Sequence, residues 1–419
     1  MAMIKLALRS LWNRKATALL TVLAIAVSVT LLLGVEKVRT EARASFANTI
    51  SGTDLIVGAR SGSVQLLLYS VFRIGNATNN VSWETYQHFA DHKRVKWTIP
   101  IALGDSHRGY RVLGTTEAYF EHYRYAKTHT LNFKQGRAFD DIYDAVLGAD
   151  VAEQLGYTLD QKIVMTHGLG SVGITRHKDS PFRIVGILEK TGTPVDRTIH
   201  ITLQGIEAMH LGWRNGAPIR GLKIDQNQVR QLTLEPKAIT AFMMGLTSKI
   251  STFKLQREIN TFDQEALLAI LPGVALAELW ALMSVAEQAL LIISAFVVLT
   301  GVIGMLTMIL ASLNERRREM AILRSVGARP LHIFTLLVSE AGLLASLGAA
   351  LGVAMLYSLL FIAQPIIESQ YGLHISISLL NSYDFSLLGI IIGAGFIAGL
   401  IPAVRAYRYS LADGMTIRI

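Results

Sequence analysis

The sequence predicts a membrane protein in which four transmembrane α-helices carry a large α+β domain between the first and second helices. Of its 419 residues, 51% are hydrophobic and only 17% are charged, whereas soluble proteins average about 25% charged residues. The apolar residues are concentrated in four long runs, and a long, more polar segment separates the first run from the second. Together these observations exclude a purely soluble protein.

The four apolar runs are each long enough to cross the roughly 30 Å hydrocarbon core of a bilayer, which requires about 20 helical residues. We predict membrane helices over residues 16–35, 289–313, 331–363 and 385–404. The first run could also be the core of a cleaved signal peptide, but such cores contain only about 7–15 apolar residues. We therefore expect the first run to be a retained helix.

The Lys and Arg residues predict how the helices are oriented, because cytoplasmic loops are enriched in these cations. They cluster in residues 1–15, 314–330 and 405–419, whereas the connection 364–384 contains neither Lys nor Arg. Both termini and the middle loop are thus expected in the cytoplasm, with residues 36–288 and 364–384 outside. This topology accounts for most of the net charge of +9. The sequence has no basic patch interleaved with aromatic residues, so we do not expect nucleic-acid binding.

Residues 1–15 are predicted to form an amphipathic helix that lies in the membrane interface. Their apolar and basic side chains separate onto two helical faces. The apolar face contains Ile4, Ala7, Leu8 and Leu11, and the opposite face contains Lys5, Arg9 and Asn13. The alternative is a frayed start of the first membrane helix.

Residues 36–288 mix strand and helix patterns. Short β-branched runs predict strands, and longer polar runs predict helices. The predicted strands are 95–102, 162–166, 182–188 and 198–202, and the predicted helices are 83–92 and 150–155. The two ends, 36–50 and 264–288, are helix-compatible and would form a stalk, although Pro272 and Gly273 interrupt the second end. We expect an α+β domain of two subdomains.

Two local patterns in this domain resemble chemical sites. Residues 168–173 have the GxGxxG spelling of a dinucleotide-binding turn, but a loop follows them instead of the helix that the motif needs, so a hairpin tip is the better interpretation. His88 and His92 have a metal-binding spacing, but no third ligand is identifiable, so an exposed helical face is favoured. The chain has no cysteine. We predict neither a catalytic site, nor a metal, nor a cofactor.

The middle loop carries the most specific motif, Asn-Glu-Arg-Arg-Arg-Glu-Met-Ala-Ile-Leu-Arg-Ser-Val-Gly-Ala at residues 314–328. Met320 and Leu323 lie near one face of a predicted helix, which Gly327 is placed to end. Glu315 and Glu319 add contacts at helical spacing on another face. A positive-inside loop explains the arginines without a partner, but it does not explain the apolar stripe.

This motif resembles the coupling-helix signature of FtsX/MacB-like ABC transporter permeases, the type VII ABC transporters with a LolC/LolE-like architecture. Three further segments are similar to stretches of the external domain in that family. They are Asp-Leu-Ile-Val-Gly-Ala-Arg at 54–60, residues 145–163, and Phe-Arg-Ile-Val-Gly-Ile-Leu at 182–188. The resemblance therefore extends over essentially the whole chain.

The resemblance implies a homodimeric permease in the bacterial inner membrane, served by a dimer of a separate cytoplasmic ABC ATPase. The sequence contains no GxxxxGKS/T, the phosphate-cradling motif, so ATP would be bound by the partner. ATP hydrolysis would move the periplasmic domain by mechanotransmission and export or extract a lipoprotein, peptide or other amphiphile. A periplasmic protein or lipoprotein would be a further partner. The residues expected to couple to the ATPase are Glu315, Arg316, Glu319, Met320, Leu323, Arg324 and Gly327.

Small residues predict that the third and fourth membrane helices pack closely, in one subunit or across the dimer. They form three GxxxG patterns, which comprise Gly348, Gly352, Gly389, Gly393, Gly395 and Gly399. Glu340 lies within the third helix, where a carboxylate should avoid lipid. We expect it to contact a cation, with Arg324 and Arg14 as candidates.

Three other functions compete with transport by an ABC permease. An FtsX-like regulator would use the same architecture to signal to a periplasmic partner without moving a substrate. A secondary transporter needs ionisable residues near the middle of the membrane, and Glu340 is nearly alone there. A membrane-anchored enzyme has no catalytic constellation to support it.

Overall fold

A computed structural model of the chain describes residues 14–168, 180–211, 213–214, 217–218, 226–315, 317–371 and 377–408. The predicted amphipathic helix and most of the glycine-rich segment 168–173 lie outside the described residues. The chain divides into two units. The transmembrane unit comprises the described parts of Met1–Glu41, Ser284–Ile366 and Ser376–Ile419, and the external unit those of Ala42–Met283 and Ile367–Ile375.

Helices are numbered in chain order among the described residues. They are α1 (Lys15–Thr49), α2 (Ser63–Ser70), α3 (Trp83–Ala90), α4 (Ala118–His122), α5 (Ala149–Leu155), α6 (Leu203–His210), α7 (Gln226–Val229), α8 (Thr252–Asn260), α9 (Pro272–Glu315), α10 (Arg317–Ser325), α11 (Pro330–Tyr371) and α12 (Ser382–Tyr407). Two short 3₁₀ turns also occur, at Pro194–Arg197 and Lys249–Ser251.

The strands belong to the external unit. They are β1 (Leu55–Ala59), β2 (Val81–Ser82), β3 (Val95–His107), β4 (Tyr110–Thr115), β5 (Arg124–Tyr125), β6 (His129–Thr130), β7 (Phe133–Gly136), β8 (Asp144–Leu147), β9 (Lys162–Ile163), β10 (Thr166–His167), β11 (Phe182–Leu188), β12 (Thr198–Thr202), β13 (Trp213–Arg214), β14 (Ala217–Pro218), β15 (Ala238–Ile239), β16 (Ala241–Leu246) and β17 (Leu267–Ile270).

Four helices are long and apolar enough to cross a membrane, at Lys15–Thr49, Pro272–Leu313, Pro330–Ile367 and Ser382–Tyr407. This confirms the predicted fold class. Two helix ends differ from the expected bounds. α9 begins at Pro272, because proline fits the first turn of a helix, where its missing N–H would be unpaired anyway. The helix expected over 264–288 is therefore wrong before Pro272, where β17 (Leu267–Ile270) forms instead. α12 begins before Phe385, because the Asn381 and Asp384 side chains each accept a hydrogen bond from the other's backbone N–H as a capping box.

The external unit is built on an eleven-stranded mixed sheet among the described residues. The strand order is β17-β1-β16-β3-β4-β12-β8-β11-β7, with β10 also paired to β3 and β9 to β11. The long strand β3 pairs with β16 on one side and with β4 on the other. The two subdomains that we expected from the sequence are therefore joined by one sheet, because β3 is long enough to take part in both halves.

The α+β character of this unit is confirmed, and most of the predicted elements form. β11 and β12 have the bounds that the sequence predicts, whereas the expected strand 162–166 is only the two-residue β9. Helices pack on the sheet through buried apolar side chains such as Leu66 and Leu67 of α2 and Phe89 of α3. Close backbone approach also shapes the unit at Gly148, where any Cβ would meet the carbonyl oxygens of Val195 and Asp196.

Two buried titratable groups lie near each other in the interior of the external unit. Burial, together with the charge of Arg73, lowers the pKa of His200 to about 3. Burial raises the pKa of Asp196 to about 6, even though its carboxylate accepts hydrogen bonds from Thr191 and Gly192. The folded state therefore keeps His200 neutral and favours protonated Asp196.

These two shifts have opposite effects on stability between about pH 4 and pH 6. There the folded protein lacks a proton on His200 that the unfolded chain binds, and holds one on Asp196 that the unfolded chain has lost. Asp196→Asn removes only the second effect. We expect the variant to lose about 1.4 kcal/mol more stability than the wild type for each pH unit of acidification in this window.

The measurement is the thermal unfolding midpoint of the purified full-length protein at pH 6.5 and pH 4.5. Adding His200→Gln to Asp196→Asn should remove the new acid sensitivity. An Asp196→Asn variant with the wild-type pH dependence would show that the two groups do not offset each other.

Candidate functional site

The candidate site lies in the transmembrane unit and has three parts: the loop helix α10, the contacts between the long helices, and a charged cluster near the end of α1. In a bilayer, helices associate through close packing and hydrogen bonds between them, since lipid provides no hydrophobic driving force for their association.

α10 is an amphipathic helix whose apolar residues do not all face the same environment. Met320 is buried, at 8% exposure, in the chain's own apolar cluster, which also contains Leu337 and Ala403. Ala321 is buried as well, at 7% exposure. Ile322 and Val326 are 55% and 83% exposed. The helix ends at Ser325, and Gly327 follows with φ of +102°, a conformation that favours glycine.

This placement changes the expected role of Met320. The sequence suggested that Met320 inserts into a partner, but its side chain is already covered by the transmembrane unit, so it fixes α10 to its own chain. Arg324 is half-buried and Gly327 is exposed. The side chains of Glu315, Arg316, Glu319 and Leu323 lie outside the described part of the chain, so their coupling roles stay predictions.

Gly348 and Gly352 of α11 contact α1, not α12. A Cβ at Gly348 would lie 2.6 Å from the Cβ of Ile25, and one at Gly352 would lie 2.7 Å from the Ala26 carbonyl oxygen. At the same place the Thr30 hydroxyl donates a hydrogen bond of 3.0 Å to the Gly352 carbonyl. A further interhelical bond joins the Ser28 hydroxyl to the Val297 carbonyl of α9, at 3.1 Å.

The glycines of α12 fall into two sets. Gly395 and Gly399 contact α11 within the same chain, where an added Cβ would collide with the methyl groups of Ala345 and Ala341. Gly389 and Gly393 have space around them, since no atom of the described chain lies within 4 Å of a Cβ built there. The third and fourth spans thus pack closely in one subunit through Gly395 and Gly399.

This division predicts unequal effects of leucine at the two sets. Gly399→Leu should destabilise the subunit by about 1–3 kcal/mol, because the added side chain overpacks the contact with Ala341. Gly389→Leu should leave subunit stability nearly unchanged. The comparison is made on thermal unfolding midpoints of the two variants in the same detergent. Equal losses, or none at Gly399, would contradict this packing.

Glu340 is buried in the transmembrane unit, at 3% exposure, on α11. A carboxylate in this position does not face lipid. Its pairing with Arg324 or Arg14 stays a prediction.

The sequence did not reveal a buried ion pair that joins α1 to the start of α12. The Lys37 ammonium lies 3.5 Å from Asp384 Oδ2 and donates hydrogen bonds of 2.9 Å to the Ser378 hydroxyl and the Leu379 carbonyl. Both charged side chains are almost fully buried. Nothing in the sequence indicated Lys37 as the partner of Asp384.

A second group of charged side chains lies beside this pair. Arg39 lies 2.8 Å from Glu36 and 3.9 Å from Glu287 of α9. The Ser378 hydroxyl donates to Glu41 at 2.7 Å. The cluster therefore connects α1, α9 and the segment before α12 at one end of the transmembrane unit.

Removing one member of the buried pair should be costly. Lys37→Met leaves Asp384 as an uncompensated buried charge, and such a break costs about 3–5 kcal/mol. The double variant Lys37→Met/Asp384→Asn should recover part of that loss, because no charge is then left buried. The thermal unfolding midpoint reports both. Arg94→Met is the control, since its partner Glu258 is 44% exposed and stays solvated when the ion pair is lost. A double variant no better than Lys37→Met would show that the charges are not coupled.

His88 and His92 of the external unit each contact other residues of the chain. His92 Nε2 lies 3.4 Å from Glu258 Oε1, and the His88 ring packs against Phe89 and Phe262. In the described part of the chain no group of three or more His, Asp or Glu side chains could hold a metal ion.

Four packed apolar spans with a large domain inserted after the first define a multi-pass membrane protein of the permease type. Residues 18–261 match the family described as MacB-like periplasmic core domain, and residues 291–411 match FtsX-like permease C-terminal. The chain belongs to this family of FtsX-like ABC transporter permeases with a MacB-like periplasmic core domain.

Several curated proteins are similar to parts of the chain. Macrolide export ATP-binding/permease protein MacB 2 of Aeromonas hydrophila subsp. hydrophila is 26% identical over 286 residues, which is 68% of this chain and 41% of the relative. MacB of Photorhabdus laumondii is 33% identical over 110 residues, or 26% and 16% of the two chains. Pyoverdine export ATP-binding/permease protein PvdT of Pseudomonas aeruginosa is 24% identical over 232 residues, or 54% and 31%. This chain spans less than half the length of these relatives.

A solved structure of the periplasmic region of MacB from Actinobacillus actinomycetemcomitans also matches, with 10% sequence identity and a TM-score of 0.34. The match covers 54% of this chain and 92% of that one.

Proposed function

We propose that this chain is the permease subunit of an ABC transporter whose ATPase is a separate cytoplasmic chain. The relatives are named as combined ATP-binding and permease proteins, whereas this sequence contains no GxxxxGKS/T. ATP hydrolysis by the partner would move the periplasmic domain by mechanotransmission. The cargo class that we propose is a lipoprotein, a peptide or another amphiphile, exported or extracted from the membrane.

The observation that supports coupling most directly is the exposed apolar surface of α10, formed by Ile322 and Val326. Exposed apolar residues on a charged helix are typical of a surface that a partner covers. Because Met320 fixes the helix to the transmembrane unit, a force applied at Ile322 would reach the long helices instead of bending a loose loop. The cations of residues 314–330 place this helix on the cytoplasmic side, where an ATPase would dock.

A homodimer would place the second copy along α12. Gly389 and Gly393 leave a face of that helix open within the chain, and small residues allow close approach of helix backbones in lipid. With both termini in the cytoplasm, the external unit would lie in the periplasm of a bacterium with the chain in its inner membrane.

The coupling proposal is tested at Ile322. Ile322→Asp should weaken binding of the ATPase about tenfold, since loss of an apolar anchor costs about 1–2 kcal/mol. If the ATPase stays bound, the variant should lose the stimulation of ATP hydrolysis. The measurements are co-purification and ATP turnover of the reconstituted complex. Arg317→Ala changes a charge at a position of the helix that we expect to be solvated and should have a much smaller effect.

Leu323→Asp is expected to behave like Ile322→Asp. If both variants keep full binding and full stimulated hydrolysis, the middle loop only orients the protein in the membrane, and the coupling role is wrong.

A further inference from the structure

The external unit contains a cavity of about 300 Å³. Phe46 of α1 and Phe72 contribute apolar lining, with ring centroids 4.4 Å apart. Ile74, which is 52% exposed, also lines the cavity. The lining contains three cations as well, Arg73, Arg111 and Arg197. The volume is at the lower end of the range for sites of small organic ligands.

Two of the arginines have only neutral partners. Arg111 donates to the Gly75 carbonyl at 2.7 Å and to Asn76 Oδ1 at 3.2 Å. Arg73 donates to the Ser70 carbonyl and, at 3.5 Å, to the Tyr119 hydroxyl. In the part of the chain that the structure describes, neither guanidinium has a carboxylate within ion-pair distance. The Nε of Arg73 is buried without a hydrogen-bond acceptor.

The charges in this lining repel one another. Burial, and next the charge of Arg73, lower the pKa of Arg111. Arg197 stacks over the ring of Tyr110, with its guanidinium carbon 5.4 Å from the centroid. Among the described residues no acid lies within ion-pair distance of Arg73 or Arg111, so these two guanidinium groups make the cavity lining positive.

The backbone at this cavity has three positive φ angles, one of them at a residue other than glycine. Arg73 has a φ of +61°, whereas Gly75 at +79° and Gly109 at +88° adopt this region without cost. A left-handed conformation is costly for a residue other than glycine and persists only when its surroundings fix it. The turn thus presents a preorganised arginine next to the apolar lining.

We propose that this cavity binds an anionic amphiphile, whose carboxylate or phosphate lies between Arg73 and Arg111 while its apolar body packs against Phe46, Phe72 and Ile74. Guanidinium groups are suited to both anions because their N–H donors match the two oxygens. That the bound molecule is the transported cargo rests on the proposed function, but its binding does not.

The test uses full-length protein in nanodiscs of zwitterionic lipid, without ATPase or ATP. The probes are 2-naphthoate, 2-naphthyl phosphate, the neutral 2-naphthalenemethanol, and inorganic phosphate, with affinities from calorimetry. We expect both charged naphthyl probes to bind at least tenfold more tightly than the neutral one. Arg111→Gln should weaken the charged probes at least tenfold. Arg108→Gln removes a neighbouring cation that does not line the cavity and should change nothing.

Ile74→Ser and Ile74→Glu separate the two halves of the site at an exposed position that tolerates change. Ile74→Ser should weaken the naphthyl probes but not inorganic phosphate, and Ile74→Glu should abolish anion binding even if Arg111→Gln fails to fold. Nanodiscs that contain phosphatidylglycerol will compete with the probes if the natural anion is a lipid, and will not if it is a soluble molecule.

Equal affinity for the neutral and charged probes, or wild-type binding in both Ile74→Glu and a folded Arg111→Gln, would overturn the proposal. Because no ATPase is present, these results are independent of whether the coupling variants at Ile322 behave as expected.

Discussion

The transmembrane unit depends on how closely α1 and α12 can approach α11. Gly348 and Gly352 admit Ile25 and the backbone of α1, and Gly395 and Gly399 admit the methyl groups of α11. In lipid this proximity provides the dispersion contacts that hold helices together, because no water is available to drive apolar association. It also brings the Thr30 hydroxyl within 3.0 Å of the Gly352 carbonyl, so that packing and hydrogen bonding stabilise the same contact.

Polar groups in this unit occur where the close packing ends. Lys37 and Asp384 are buried, but each has several partners, and the pair joins α1 to the first turn of α12. A buried pair of this kind contributes little net stability compared with apolar residues of the same volume, yet it strongly penalises separation of its partners. It therefore fixes which turn of α1 lies beside the start of α12. The glycine contacts determine how tightly the helices pack.

The four spans could be predicted because hydrophobic length is a local property of the sequence, and Gly327 could be predicted as a helix stop for the same reason. The environment of a helical face could not. Met320 and Ile322 belong to one short amphipathic helix, and periodicity does not show which of them the chain itself covers. Gly389 and Gly395 both belong to GxxxG patterns, but only the rotation of α12 about its axis decides which of them contacts α11. The pairing of Lys37 with Asp384 was invisible since the two residues lie at opposite ends of the chain.

Arg73 links the basic cavity of the external unit to its interior. Its guanidinium donates to the hydroxyl of Tyr119, a fully buried residue whose ring lies 5.1 Å from that of His200. The positive charge of Arg73 helps to keep His200 neutral and also repels Arg111 across the cavity wall. One strained arginine thus adds positive potential to both a core histidine and a surface site. Among the described residues no acid forms an ion pair with Arg73, which is why an anion in the cavity would interact favourably with its guanidinium.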